Sequence, residues 1–281
     1  MALVLLPGAL ASCAEDRAGG PTSPSATTPR PSASPSPSPS PSPSRGPTPS
    51  PSLSPTPVAT RTATPRPTAA VVPTTARATL LWRLPTSRRV VALTFDAGSD
   101  VGNATRILDL LRAERIPASF GVTGRWARAN PALVRRMAAE GHLLVNHTDQ
   151  HLSFTGFSTR TDPLSREGRL AALSGAEAAV REAAGVSTKP WFRPPYGDRD
   201  ASVDRDVAAA GYGYELMWTV DTLGWKGVPA AQVVQRVMDE LTPGAVVLMH
   251  VGAASTDDEA LPELLRRLRA AGYGFVRADG R

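Results

Sequence analysis

The sequence predicts an α/β fold in which seven parallel strands form a closed or nearly closed barrel. From Arg89 onward, short apolar runs alternate with amphipathic stretches, which is the pattern of strands that alternate with helices. Such alternation favours a parallel sheet covered by helices, and a long series of these units favours a closed or nearly closed barrel. Polar residues follow several of the apolar runs, as expected where functional groups lie at the carboxyl ends of barrel strands.

The individual elements follow from these runs and from start signals such as Pro131, which suits the first turn of a helix. The predicted strands are residues 90–95, 118–122, 142–146, 190–193, 214–220, 245–250 and 274–278. The predicted helices are residues 101–115, 131–140, 164–184, 201–210, 230–241 and 261–271. The polar residues that end or directly follow these strands are Asp96, His147, Arg193, Asp221 and His250.

Composition divides the chain of 281 residues into unlike parts. Residues 21–67 hold 16 of the 28 prolines and almost no aromatic or branched apolar residues, so they cannot bury enough surface to fold. We therefore predict a disordered Pro/Ser/Thr-rich linker over residues 21–78 and one domain over residues 79–281. From Leu80 onward there are 25 basic and 23 acidic residues, so most of the net charge of +6 lies in the tail, which argues against nucleic-acid binding.

The first 20 residues predict export. An apolar run from Met1 to Leu10 leads into the tetrapeptide LASC, in which Cys13 has the place of the lipidated cysteine of a bacterial lipobox. The alternative is an ordinary signal peptide and simple secretion. Since Cys13 is the only cysteine, the domain has no intrachain disulfide. We expect a monomeric lipoprotein that the linker holds away from the membrane.

A pair of histidines is the first candidate for chemistry. His147 and His151 are four residues apart, directly after a predicted strand. If this segment turns helically, both imidazoles lie on one face and supply two ligands to a divalent metal such as zinc. His142, which precedes the strand, is expected to be structural.

Asp96 is a candidate base or ligand. It stands between a buried strand and Gly98, where a glycine permits a sharp turn, so its carboxylate is expected at the mouth of the barrel. The alternative is a helix cap, but Ser99 and Asp100 suit that role better.

His250 and Arg193 complete the candidate set. His250 follows a very apolar run and is a candidate general acid, because an imidazole changes charge near neutral pH; a hydrogen-bonded core histidine is the alternative. Arg193 precedes two prolines that stiffen the loop, and it is expected to hold a carboxylate in a bidentate orientation.

Together these residues resemble the polysaccharide deacetylases of the NodB homology type, carbohydrate esterase family 4, in motif order and spacing. The resemblance covers essentially the whole domain. The five matching motifs are TFDAG at 94–98, HTDQH at 147–151, RPPYG at 193–197, DTLGW at 221–225 and LMH at 248–250.

The resemblance implies a distorted NodB-like (β/α) barrel of seven to eight parallel strands and metal-assisted hydrolysis of an acetamide in a cell-wall polysaccharide. Asp96 would be the general base for an attacking water, His250 the general acid, and Arg193 the residue that orients Asp96. His147 and His151 would bind the metal, for which zinc, cobalt and nickel are all suitable. The residues that would bind the oxyanion through a backbone N–H or form the wall of the acetyl pocket are Tyr196, Trp225 and Leu248.

Two departures from the family pattern concern the metal and the acid. The family has a second aspartate where this chain has Ala97, and an acid before the tryptophan where this chain has Gly224. Asp100 is the predicted replacement ligand, with Asp96 itself as the alternative. Asp221 is the predicted support for His250.

Three functions remain open at this point. The first is N-deacetylation of N-acetylhexosamine residues in peptidoglycan or a chitin-like polymer, by a membrane lipoprotein that faces the cell wall. The second is a non-catalytic lipoprotein that binds the wall. The third is an esterase that removes O-acetyl groups at the same site.

Overall fold

The computed structural model describes residues 77–281, in which strands and helices alternate as predicted. The strands are β1 (Thr79–Leu81), β2 (Val90–Ala97), β3 (Ser119–Val122), β4 (Leu143–Asn146), β5 (Trp191–Phe192), β6 (Tyr214–Leu216), β7 (Val220–Asp221), β8 (Ala245–His250) and β9 (Gly274–Val276). The helices are α1 (Ala104–Ala113), α2 (Gly124–Ala129), α3 (Pro131–Ala139), α4 (Arg166–Ala184), α5 (Ala201–Ala209), α6 (Ala230–Asp239) and α7 (Asp257–Ala270). Within these residues, no helix is both long enough and apolar enough to cross a membrane.

All of these strands belong to one parallel sheet that curls into an open barrel. The order is β1-β6-β5-β4-β3-β2-β8-β7, and β9 pairs with β2 beside this path. Within residues 77–281 no ladder joins β7 to β1, so the barrel does not close. The predicted distorted α/β barrel is thus confirmed. The signal segment and nearly all of the linker lie outside the described residues, and the domain boundaries stay a prediction.

The structure corrects the predicted elements in three places. The apolar run 214–220 forms two strands, because β6 pairs with β1 and β5 on one side of the sheet whereas β7 pairs with β8 at the other end. Local apolarity cannot reveal such a crossing. The short β1 and α2 were not predicted, and α7 begins at Asp257 rather than Leu261.

The two faces of strand β2 carry different kinds of side chain. Phe95 and Ala97 belong to the large apolar cluster that also contains the buried faces of the helices. Thr94 and Asp96 alternate with them and point to the inner face of the sheet, as strand geometry requires. The strand therefore sends a carboxylate into the barrel mouth while its neighbour, Ala97, packs among apolar side chains.

Candidate active site

A pocket of about 650 Å³ opens at the carboxyl ends of the strands, where the sequence predicted the site. Every predicted site residue except Arg193 lines it. These lining residues are Asp96, Asp100, His147, His151, Tyr196, Asp221, Trp225, Leu248 and His250.

Arg193 lies beneath the pocket, with a side chain that is only 1% exposed. Its Nη1 donates to Oδ1 of Asp96 at 2.8 Å, and its Nη2 donates to Oγ1 of Thr94 at 3.0 Å. Its Nε donates to the carbonyl of Leu216 at 3.0 Å. The predicted bidentate pair with a carboxylate is therefore wrong in detail, because the guanidinium shares its donors among one carboxylate oxygen, a hydroxyl and backbone carbonyls. These bonds fix the guanidinium in place and so orient Asp96.

The surroundings of Asp96 favour its ionised form. Burial alone would raise the pKa of this carboxyl, but the charge of Arg193, followed by His147, His250 and the hydrogen bond from Arg193, holds the pKa below its usual value. Gly121 on the adjacent strand provides the space, since a Cβ there would overlap Oδ1 of Asp96 and lie 3.2 Å from its Cγ. The arrangement suits a base that must be deprotonated in a buried place.

The two histidines meet, but not through a helix. His147 follows β4 directly, and the segment to His151 is an irregular turn in which Thr148 and His151 have left-handed φ values of 65° and 61°. The predicted helical turn is thus wrong, although its consequence holds, because the ring centroids are 4.8 Å apart. Burial, followed by the neighbouring His147, lowers the pKa of His151 to about 3, so this ring is neutral in neutral solution.

The tautomer of His147 follows from its hydrogen bond. Nδ1 lies 2.8 Å from the carbonyl oxygen of Arg193, and a carbonyl only accepts, so Nδ1 carries the hydrogen. Nε2 then has a free lone pair. It is buried, has no hydrogen-bond partner among the described residues, and lies 3.4 Å from Oδ2 of Asp96. An imidazole fixed by a carbonyl on one nitrogen and free on the other is the arrangement of a metal-binding histidine.

These donors fit part of a metal site. His147 and His151 offer two neutral imidazoles, which is the form that binds a cation. Across residues 77–281, however, no group of three His, Cys, Asp or Glu side chains has the geometry to hold a metal ion. Ala97, where the family pattern has its third ligand, is fully buried in the apolar cluster on the helix side of β2.

Asp100 lines the pocket and does not cap helix α1. Its Oδ1 accepts from the backbone N–H of Ala253 at 2.9 Å, and its carbonyl accepts from the indole of Trp126 at 2.7 Å. Helix α1 has Asn103 at its cap position, with no side-chain hydrogen bond that caps the helix, so the predicted capping by Ser99 or Asp100 is wrong. The role of Asp100 as a metal ligand stays a prediction.

His250 ends β8 with its side chain 27% exposed at the pocket. Its paired residue on β2 is Asp96, so the candidate acid and base stand side by side on adjacent strands. The carboxylate beside it belongs to Asp257, the first residue of α7, whose Oδ2 lies 3.9 Å from Nδ1 of His250 and accepts from its backbone N–H at 2.8 Å. Burial raises the pKa of Asp257, against the opposing hydrogen bonds from Thr222, Ser255 and the His250 N–H.

Asp221 does not support His250 as predicted, because both of its carboxylate oxygens are engaged elsewhere. Oδ1 accepts from the N–H of Leu223 at 2.9 Å and Oδ2 accepts from the indole of Trp225 at 3.4 Å. Asp221 therefore shapes the turn that presents Trp225, whose ring centroid lies 6.3 Å from that of His250.

The rim of the pocket combines exposed aromatic rings with strained backbone. Tyr196 is half exposed, contacts the ring of His151 at a centroid distance of 4.8 Å, and has a left-handed φ of 61°. Of the positive-φ residues other than glycine within residues 77–281, the pocket loops contain Thr148, His151, Tyr196 and Leu223. Such strain costs on the order of 1 to 3 kcal/mol per residue and is concentrated at functional sites.

Sequence reasoning missed several residues of the site. Gly98, which the sequence analysis places at a turn, has no left-handed φ; a Cβ there would be tight against Cγ2 of Thr123, at 3.1 Å, and in ordinary contact with the ring of His151, at 3.6 Å. Arg125 donates to the carbonyl of Gly98 at 2.7 and 2.9 Å and so fixes this loop. Gly121 and Asp257 are two further residues of the site that the sequence analysis did not identify. The acidic run at the start of α7 was visible in the sequence, but nothing local linked it to His250.

The chain is similar in sequence to known proteins. The sequence model of the family described as polysaccharide deacetylase matches residues 83–214. A peptidoglycan-N-acetylglucosamine deacetylase of Bacillus cereus is 32% identical over 198 residues, which cover 69% of this chain and 89% of the relative.

Solved structures give the same relationship. The Bc1960 peptidoglycan N-acetylglucosamine deacetylase matches with a TM-score of 0.65 at 28% identity, over 72% of this chain and 91% of that one. BA3943 of Bacillus anthracis, described as a CE4 family pseudoenzyme, matches with a TM-score of 0.64 at 27% identity, over 71% and 67%. A mutant of BA3943 is described as having restored enzymatic activity. Because the matched region contains Asp96, His147, His151 and Arg193, and because the identity extends over most of a named deacetylase, this chain belongs to the polysaccharide deacetylase family.

Proposed function

We propose that this chain hydrolyses the acetamide of N-acetylhexosamine residues in a cell-wall polysaccharide. One observation carries the proposal. Asp96 and His250 occupy paired positions on adjacent strands and line the same pocket, so a base and an acid face one substrate position. Amide hydrolysis needs a base to activate water and an acid to protonate the departing amine.

Asp96 accepts the proton of the attacking water. Arg193 keeps the carboxylate ionised and holds Oδ1 at 2.8 Å, which leaves Oδ2 directed toward the pocket beside His147. Since a buried carboxylate without a counter-charge would take up a proton, the guanidinium is what makes a base possible here.

His250 donates a proton to the sugar nitrogen as the carbon–nitrogen bond breaks. Its side chain reaches the pocket between Trp225 and the carboxyl end of β2. Leu248 and Trp225 form an apolar wall for the acetyl methyl group, and the backbone N–H of Tyr196 is the proposed donor to the oxyanion.

A divalent cation, with zinc as the first choice and cobalt or nickel as alternatives, is the proposed cofactor. His147 and His151 would hold it, and Asp100 remains the proposed third ligand. Such a cation, when bound, supplies a Lewis acid to the acetyl carbonyl and the attacking water. The free, buried Nε2 of His147 is the feature that supports a cation.

Cell-wall polysaccharide is the proposed substrate because the pocket rim suits sugars and because the similar proteins carry peptidoglycan deacetylase names. Tyr196 and Trp225 are about half exposed at the pocket, and Phe157 is 85% exposed on the loop after His151. Exposed aromatic rings stack well on the apolar faces of sugar rings. Asp198 holds this loop through Ser153 and both the N–H and the hydroxyl of Ser158, so Phe157 is presented on a fixed support.

A second candidate function is a non-catalytic protein that binds the wall. Ala97 and the lack of a three-ligand group within residues 77–281 favour it, as does the similarity to a pseudoenzyme. An esterase acting on O-acetyl groups is a third candidate.

Acetate release from purified peptidoglycan and from chitin oligomers, measured with added zinc and with a chelator, separates these functions. We expect release that stops with the chelator. Binding to peptidoglycan without any acetate would favour the non-catalytic function, and release from O-acetylated sugars alone would favour the esterase.

We also propose that the mature protein is anchored through Cys13, which lies outside the described residues. The Cys13→Ser variant is expected to leave the membrane fraction or to remain unprocessed, because a thioether-linked lipid requires the cysteine sulfur. Fractionation followed by immunoblotting measures this. Identical distribution of variant and parent would leave simple secretion as the better account.

A further inference from the structure

Position 224 has no room for the acid that the family pattern puts there. A Cβ atom placed on Gly224 would overlap Oδ1 of Asp257, lie 2.5 Å from its Cγ and lie 2.8 Å from its Oδ2. Gly224 does not have a positive φ, so its backbone would accept a side chain. What excludes one is the carboxylate that already fills the space.

That carboxylate comes from a different segment of the chain. Asp257 is the first residue of α7, and its side chain is fully buried. It points away from its own helix, since Oδ2 accepts from the N–H of His250 and from the hydroxyl of Ser255, both at 2.8 Å. The neighbouring Asp258 is also buried but makes different contacts, accepting from Asn103 at 2.9 Å and from Arg106 at 2.8 Å.

We propose that Asp257 is the positioning residue of His250, and that it replaces from α7 the acid that Gly224 cannot supply. The inference rests on the proposed function, in which His250 protonates the leaving amine. Asp257 fixes the end of β8 by accepting from the backbone N–H of His250. Its carboxylate also lies 3.9 Å from Nδ1 of His250, where its charge stabilises the protonated imidazole. Among the described residues, Asp96 on β2 and the pair His147 and His151 after β4 also interact electrostatically with His250, and Asp100 and Asp221 line the same pocket.

The first test is the Asp257→Asn variant, which keeps an oxygen to accept from His250 and Ser255 but removes the charge. NMR titration of the imidazole signals of His250 is the readout, since a purely structural role would not move it. We expect the midpoint of this titration to fall by about 1 pH unit or more, the usual effect of removing an opposite charge at this distance. We also expect kcat to fall by about tenfold or more with KM nearly unchanged. A folded variant whose His250 titrates as in the parent would overturn the proposal.

The second test exchanges the two positions. Gly224→Asp alone is expected to lower the melting temperature, because the new side chain collides with Asp257. In Asp257→Ala the space is open, so Gly224→Asp in that background should restore the titration midpoint of His250 and much of the lost kcat. A folded double variant that restores neither would count against the exchange of acids.

These readouts separate this proposal from the proposed function. The titration needs no turnover. A parent protein that releases no acetate, but whose His250 responds to Asp257→Asn, would contradict the deacetylase proposal and support the role of Asp257. Acetate release with an unresponsive His250 would do the opposite.

Discussion

The His147→Ala variant is expected to lose both cation binding and turnover. His147 supplies the one imidazole whose Nδ1 is fixed by a carbonyl and whose Nε2 is buried without a partner. A site that already has Ala97 in place of a ligand keeps a single imidazole, His151, beside the proposed ligand Asp100 when this ring is removed. Isothermal titration with zinc and acetate release measure the two losses, which we expect together and to below detection.

His142→Gln is the matched control, because His142 is also a buried histidine of the same strand region. Its Nδ1 accepts from the N–H of Ala118 at 3.1 Å, and it does not line the pocket. Removal of the ring should lower the free energy of unfolding by about 1 to 3 kcal/mol, the cost of disturbing a buried hydrogen bond, with zinc affinity unchanged. Full turnover by a folded His147→Ala variant would contradict a cation-assisted reaction.

The Asp96→Asn variant is expected to lower kcat by about 100-fold to 10,000-fold, the usual contribution of a general base. The amide preserves the shape of the side chain and an acceptor for Arg193, but it cannot take a proton from water. The loss of its charge leaves the guanidinium buried without a counter-charge, and breaking a buried ion pair in this way costs about 3 to 5 kcal/mol. Kinetics must therefore be measured at a temperature where circular dichroism shows the variant folded.

Asp206→Asn is the control for that loss of stability. Asp206 forms a buried ion pair with Arg169, with Oδ2 accepting from Nε at 2.8 Å, and it lies outside the pocket. This variant should be destabilised to a similar degree and keep its turnover. Equal loss of turnover in the two folded variants would mean that Asp96 acts only through stability.

Together the His147 and Asp96 variants distinguish the first two candidate functions. A pseudoenzyme that binds no cation would show no loss of cation binding and no loss of turnover in either variant. In an active enzyme, Asp96→Asn should lower turnover without lowering cation binding, because this variant lacks the base but keeps His147 and His151.

The agreement between the sequence and the site is close where the signal is local. Asp96, Arg193, Asp221 and His250 were placed at strand ends by apolar runs that stop at a polar residue, and the structure has them there. The proximity of His147 and His151 was predicted for the wrong reason, since residues with left-handed backbone and not a helix bring the rings together. Spacing of four residues permits contact in several conformations, and only the tertiary structure selects one.

The sequence by itself determined the alternation of strands and helices, the barrel class, the motifs and the strand ends that carry the candidate acid and base. These depend on apolar periodicity and on polar residues within a few positions of one another, which are local properties of a chain. The tertiary structure decided that the barrel stays open, that 214–220 is two strands, that Arg193 divides its donors, and that Asp257 stands beside His250. Those outcomes depend on contacts between segments that are far apart in the sequence. At Gly224, for example, the carboxylate of Asp257 fills the space that a side chain would need, and no local pattern encodes such a contact.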